Sequence, residues 1–133
     1  MTQTDTRQTG AERYEGAVER YLAAWNSAGQ DADGAVEAVA AAFTEDATYT
    51  DPLADTVGHD QLAAVIAGVH AQFPGFAFRR LGTPDGHHDV VRFGWELVAP
   101  DGSAPVAGFD VATLAADGRI RTVSGFLDRV PAM

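Results

Sequence analysis

The sequence predicts an α+β domain in which three helices precede an antiparallel sheet and pack on one of its faces. Two changes of pattern carry that expectation. Up to Phe73 apolar residues recur at three- and four-residue steps, the period of an amphipathic helix. From Phe76 the period falls to two, and the alternating segments are separated by turn clusters, the pattern of strands joined as hairpins. Helices grouped before strands segregate into two layers, so the apolar helix stripes and one sheet face share a core.

Each element follows in chain order. The first ten residues read as a disordered polar tail, and residues 11–130 read as one domain with no linker or repeat. Thr9 and Glu12 have the spacing of a capping box, and Tyr14, Val18, Tyr21, Leu22 and Trp25 form the stripe of a first helix ending near Ser27 to Gly29. Asp31 and Asp33 offer caps for a second helix through Val36, Val39, Ala40 and Phe43. A short strand at Thr48, Tyr49 and Thr50 then leads to Asp51 and Pro52. A third helix carries Leu62, Val65, Ile66, Val69 and Phe73 until Pro74 and Gly75 stop it. Strands are expected at 76–81, 88–98, 106–114 and 119–127, with turns at ThrProAspGly (83–86), ProAspGlySer (100–103) and AspGly (117–118). Short turns between consecutive strands make them antiparallel.

Composition narrows the function. The 133-residue chain has no cysteine, which removes thiol nucleophiles, thiolate metal sites and disulfides and suits a reducing cytoplasm. Its N-terminus lacks a signal pattern, so export is not expected, and no apolar run is long enough to span a bilayer. Nineteen acids oppose nine bases, all arginine, for a net charge of −10. Such a chain repels phosphate backbones and anionic membranes, leaving small neutral molecules as the expected ligands. Without lysine there is no Schiff-base chemistry.

Two carboxylates stand out. The ring of Pro52 pushes Asp51 toward extended backbone, which either fixes a turn or gives a general base a defined place. In the strand beginning at Val106, the parity that carries Val106, Ala112 and Leu114 inward also carries Asp110. A carboxyl among apolar neighbours is bonded to a backbone amide or an arginine, or it is held protonated by desolvation.

Three blocks of residues resemble the ketosteroid isomerases, within the nuclear transport factor 2-like superfamily that also holds SnoaL-type polyketide cyclases. They are ArgTyrLeuAlaAlaTrpAsn (20–26), PheThrGluAspAlaThrTyrThrAspPro (43–52) and ValAlaGlyPheAsp (106–110), and the general pattern extends from about Glu12 to Asp128. The resemblance implies a cone-shaped fold with a curved sheet. It also implies proton transfer alpha to the carbonyl of an apolar ketone, without a cofactor, with Asp51 as base and Tyr21 and a neutral Asp110 as donors to the enolate oxygen. The implied substrate wall is Phe93, Trp95, Phe43, Ile66, Ala112 and Leu127. Two positions depart from the family: Ile66 stands where a supporting tyrosine is common, and Ala112 where an aromatic is. A SnoaL-like cyclase, lyase or hydrolase using Asp51 or Asp110 alone, and a non-catalytic binding module, are the alternatives.

The other polar candidates are weaker. His87, His88 and Asp89 are consecutive, so on a strand they cannot present three facial ligands, and no metal site is expected. His59 and His70 read as surface residues, and Tyr14 and Trp25 as core. Phe109, Val111 and Phe126 fall on the outer sheet face with Arg92, which points to a homodimer formed across that face.

Overall fold

In the computed structural model, which describes residues 10–27 and 32–131, three helices cover one face of a six-stranded sheet. The elements are α1 (Gly10–Ser27), α2 (Ala32–Ala42), β1 (Phe43–Asp51), β2 (Ala54–Val57), α3 (Gly58–Gln72), β3 (Ala77–His87), β4 (Val90–Val98), β5 (Val106–Leu114) and β6 (Ile120–Arg129). The Thr9 cap and the Asp31 and Asp33 side chains lie outside the described residues. Among the described residues no helix is long and apolar enough to cross a membrane.

The sheet order is β2-β1-β6-β5-β4-β3. Its last four strands form the expected meander, but β1 pairs β6 in parallel, which makes the sheet mixed. The short β2 folds back on β1 through Pro52 and Leu53, pairing Thr48 with Val57 and Asp51 with Ala54. The Thr83–Gly86 cluster, expected as a hairpin turn, lies inside β3 instead. Pro84 has no N–H to give to a ladder, and the register slips between Leu81 and Asp85, so the cluster forms an irregularity on an edge strand. The chain reverses at His88 and Asp89, with His88 at φ 51°. Arg13 and Tyr14 of α1 fix that turn by donating to the His88 carbonyl at 3.1 and 2.8 Å, and Arg13 also pairs with Asp89.

One stripe of α1, including Val18, Tyr21 and Trp25, is buried against the inward residues Val91, Phe93, Trp95 and Leu97 of β4 and their neighbours. That is the expected face of β4. Asn26, at the end of α1, accepts from the Phe78 N–H at 2.7 Å and donates to its carbonyl at 3.1 Å, so a side-chain amide completes the edge of β3. His59 and His70 are half-buried rather than surface residues. His59 Nε2 donates to the carbonyls of Phe43 and Thr44, and His70 Nε2 donates to that of Trp25, tying α3 to β1 and α1.

Backbone crowding places one strict demand on the sheet. A Cβ at Gly108 would lie 2.1 Å from the Phe126 carbonyl oxygen and 2.9 Å from the Trp95 ring. At Gly68, on the exposed side of α3, it would meet nothing within 4 Å. Gly108→Ala should therefore destabilise the protein by about 1–3 kcal/mol or more, whereas Gly68→Ala should stabilise it by about 0.4–1 kcal/mol. Thermal unfolding of the two variants checks this, and equal midpoints would contradict the packing described.

Candidate functional site

Strand order brings the two carboxylates together. β6 lies between β1 and β5. Asp110 of β5 is directly opposite Gly125, and the parallel register of β1, with Tyr49 beside Val123 and Thr50 beside Ser124, carries Asp51 to the same point one step later. The two acids thus flank Gly125. A Cβ there would fall 2.8 Å from Asp110 Oδ1 and 3.3 Å from Asp51 Cβ, so the absence of a side chain at 125 makes room for both.

Asp110 is 2% exposed, and its two oxygens have separate partners. Tyr21 donates its hydroxyl to Oδ2 in a short hydrogen bond, and Trp95 Nε1 donates to Oδ1 at 3.2 Å. Its packing neighbours hold the Tyr21 ring: Phe93 meets it edge-on at 5.0 Å and Phe43 at 5.7 Å. Burial pushes the Asp110 carboxyl up to about 6, against the pull of the Tyr21 and Trp95 hydrogen bonds, and the nearby charge of Asp51 adds to the rise. The Tyr21 phenol is raised well above 10 by burial first and by Asp110 second, so it stays a donor.

Asp51 is held differently. Its Oδ1 accepts from the backbone N–H groups of Leu53 and Ala54, both at 2.8 Å, and its Oδ2 accepts from the Tyr49 hydroxyl at 2.5 Å. The backbone pair closes the β1–β2 turn with the carboxylate as part of it. Burial and the Asp51 hydrogen bond keep the Tyr49 phenol protonated by raising it far above its ordinary value. Tyr49 is the site residue that sequence reasoning missed, although its parity with Asp51 on a strand was the available signal.

Both acids open onto a cavity of about 510 Å³ between the sheet and α1 and α3. Trp25, Phe78, Trp95, Leu97 and Leu127 contribute apolar wall, while Leu53, at 86% exposure, and Val130 stand where the cavity meets solvent. Tyr21, Tyr49, Asp51, Asp110 and Gln72 are the polar groups, and among the described residues no arginine or histidine lines it. The structure therefore places Tyr21, Asp51, Asp110, Trp95 and Leu127 on one cavity. Phe43, Ile66, Phe93 and Ala112, expected on its wall, are buried in the packed core and do not line it. The reason is depth: Phe43 and Phe93 pack on the Tyr21 ring, and Ala112 sits one step beyond Asp110 on the same face. His87 and His88 cap the β3–β4 turn, and among the described residues no group of acids and histidines could hold a metal.

The raised Asp110 has a consequence for stability. The folded protein holds this proton between the ordinary carboxylate range and about pH 6, whereas the unfolded chain has released it. Its stabilising contribution is thus complete below about pH 3.8 and is lost as pH rises to about 6, at about 1.4 kcal/mol per pH unit. Glu96, Asp101 and Asp117, whose carboxyls are held low by arginine or serine partners, act in the opposite sense. The difference in stability between wild type and Asp110→Asn should accordingly fall across this window. Parallel pH profiles would show that the carboxyl is not held protonated by its surroundings.

Comparison with known proteins agrees with this fold. Residues 18–123 match the model of the SnoaL-like domain. A candidate isomerase of the SnoaL-like family from Agrobacterium tumefaciens is 40% identical, over 88% of this chain and 98% of its own, with a TM-score of 0.82. A candidate SnoaL-like polyketide cyclase from Jannaschia sp. CCS1 is 20% identical over 94% of this chain and 92% of its own, with a TM-score of 0.71. A de novo designed protein with a curved β-sheet reaches 0.65 at 13% identity, over 90% of this chain and 88% of its own. Likeness at those last two identities is of fold alone. No curated protein matches the sequence. With a family model covering most of its length and a 40% identical relative sharing its fold, the protein belongs to the SnoaL-like family and has the nuclear transport factor 2-like fold.

Proposed function

We propose that the protein moves a proton alpha to the carbonyl of a small, neutral, apolar ketone. The observation that carries this reading is the convergence of Tyr21, Asp51 and Asp110 on one largely apolar cavity with no cationic side chain in its wall among the described residues. An anionic substrate entering it would meet Asp51 and find no cation to offset the repulsion. A flat neutral ring fits the aromatic wall.

In this reading the carbonyl oxygen lies at Tyr21 and Asp110, and Asp51 faces the neighbouring carbon. Asp51 takes the proton, the electron pair moves onto the oxygen to form an enolate, and Tyr21 and Asp110 stabilise the charge as it appears there. Asp51 then returns the proton to the same or a conjugated carbon. Tyr49 and the turn amides hold the base in place throughout. The step needs no cofactor. The Agrobacterium tumefaciens relative is a candidate isomerase, a reaction class that includes such a proton transfer.

A second reading is favoured by the upward shift of Asp110 to about 6, close to the operating range of a general acid-base group. Here Asp110 exchanges the proton alone, as in a SnoaL-like cyclase, and Asp51 only fixes its turn. Deuterium exchange into a bound cyclic enone separates the two. Asp51→Asn should still bind the enone but exchange at least about a hundredfold more slowly. Undiminished exchange in Asp51→Asn with loss in Asp110→Asn would favour the second reading. A wild type that binds enones without any exchange would instead make the protein a binding module.

The outer sheet face completes the proposal. Phe109 and Phe126 stack there at 4.9 Å with Val111 beside them, and Phe126 is 49% exposed. We place a second copy of the chain on this apolar patch. The dimer would act in the cytoplasm, the compartment that a cysteine-free chain suits. Sedimentation should give a dimer at tens of micromolar, and a monomer alone at that concentration would contradict it.

A further inference from the structure

Trp25 follows Tyr21 by one helical turn on α1, and its indole both lines the cavity and is 4% exposed. Among the described residues its Nε1 is the only buried side-chain polar atom with no hydrogen-bond partner. Burying a donor without an acceptor is costly, and native proteins seldom leave one so. Nor is the ring free to turn away. It packs against Tyr21 at 6.2 Å, Tyr49 at 5.5 Å and Phe78 at 5.2 Å.

The Trp25 and Tyr21 rings pack at a 46° tilt, and both side chains line the cavity. No hydrogen bond joins the Trp25 Nε1 to the Tyr21 oxygen. Tyr21 meanwhile has one O–H, and it is given to Asp110. To hold a ligand oxygen, Tyr21 must swing that O–H away from the carboxyl, which reorients its lone pairs.

We propose that Trp25 is a positioning residue for Tyr21: its N–H donates to the Tyr21 oxygen once Tyr21 turns its own O–H from Asp110 to a ligand oxygen. The indole donor and the phenol then form a two-step chain ending on the ligand. A hydroxyl that accepts a hydrogen bond is polarised into a stronger donor, so the chain stabilises negative charge on that oxygen more than Tyr21 does alone. This rests on the reading of the cavity as a site for a carbonyl or phenol oxygen.

The probe is 4-nitrophenol, whose ionisation when bound is read by its absorbance, with 4-nitrotoluene as a partner of similar size that has no phenolic oxygen. Hydrogen bonds to charged groups are worth more than neutral ones. In Trp25→Phe the bound phenol should therefore ionise about one pH unit higher, and phenolate affinity should fall about tenfold. Affinity for 4-nitrotoluene, which reads only the trimmed indole wall, should fall by clearly less than that for the phenolate. If Trp25→Phe does not fold, benzothienylalanine at position 25 keeps the ring shape, replaces N–H by sulfur and should give the same shift. An unchanged midpoint, or equal losses for both probes, overturns the role of the N–H and leaves Trp25 as packing. A wild type that binds neither probe overturns the carbonyl-site reading as well, which distinguishes the two failures.

Discussion

Burying the Asp110 carboxyl at 2% exposure dictates much of the arrangement around it. A carboxyl taken out of water must be protonated or surrounded by donors, and the fold supplies donors from two directions. Tyr21 reaches it from α1 and Trp95 from the neighbouring strand β4. Trp95 arrives by lying over Gly108, where a Cβ would stand 2.9 Å from its ring, and the carboxyl itself occupies space kept open by Gly125. Two glycines, one tryptophan and one tyrosine thus follow from a single buried acid.

The two acids differ because their surroundings differ. Asp51 belongs to a turn and is fixed by two backbone amides and Tyr49, all of them donors suited to an ionised carboxylate. Asp110 is deeper, has no backbone donor among its partners, and is shifted upward by burial and by the charge of Asp51. The remaining cavity wall is largely apolar, so in the proposed reaction a developing charge would be met by the Tyr21 and Asp110 dipoles.

Much of this was legible in the sequence. The stripe of α1, the stop of α3 at Phe73 and the inward parity of Phe93, Trp95 and Asp110 are local periodicities, and the structure keeps them. What was not legible depends on pairing between distant segments. The parallel docking of β1 on β6 sets Asp51 beside Gly125, and nothing near Asp51 in the chain encodes that contact. β2 is four residues long and too short to show a period. The Thr83–Gly86 cluster has turn composition, yet the pairing of Asp85, Gly86 and His87 with Arg92, Val91 and Val90 carries β3 past it and moves the reversal to His88, where Arg13 and Tyr14 wait. Depth was hidden too: Phe93 and Trp95 share a face, but only Trp95 reaches the cavity. Ile66, at the place of a supporting tyrosine, has no donor to offer, and the unpartnered N–H of Trp25 belongs to the ring packed on Tyr21.

The central claim is that Tyr21, Asp51 and Asp110 act on one ligand with its oxygen at Tyr21. A crystal structure with a bound cyclic enone tests it directly. The expected result places the carbonyl oxygen at hydrogen-bond distance from the Tyr21 hydroxyl, about 2.5–3.0 Å, with Asp51 facing the carbon next to the carbonyl and the ring against Trp95 and Phe78. An enone bound with its oxygen turned to the opening at Leu53 and Val130, or lying outside the cavity, would contradict it.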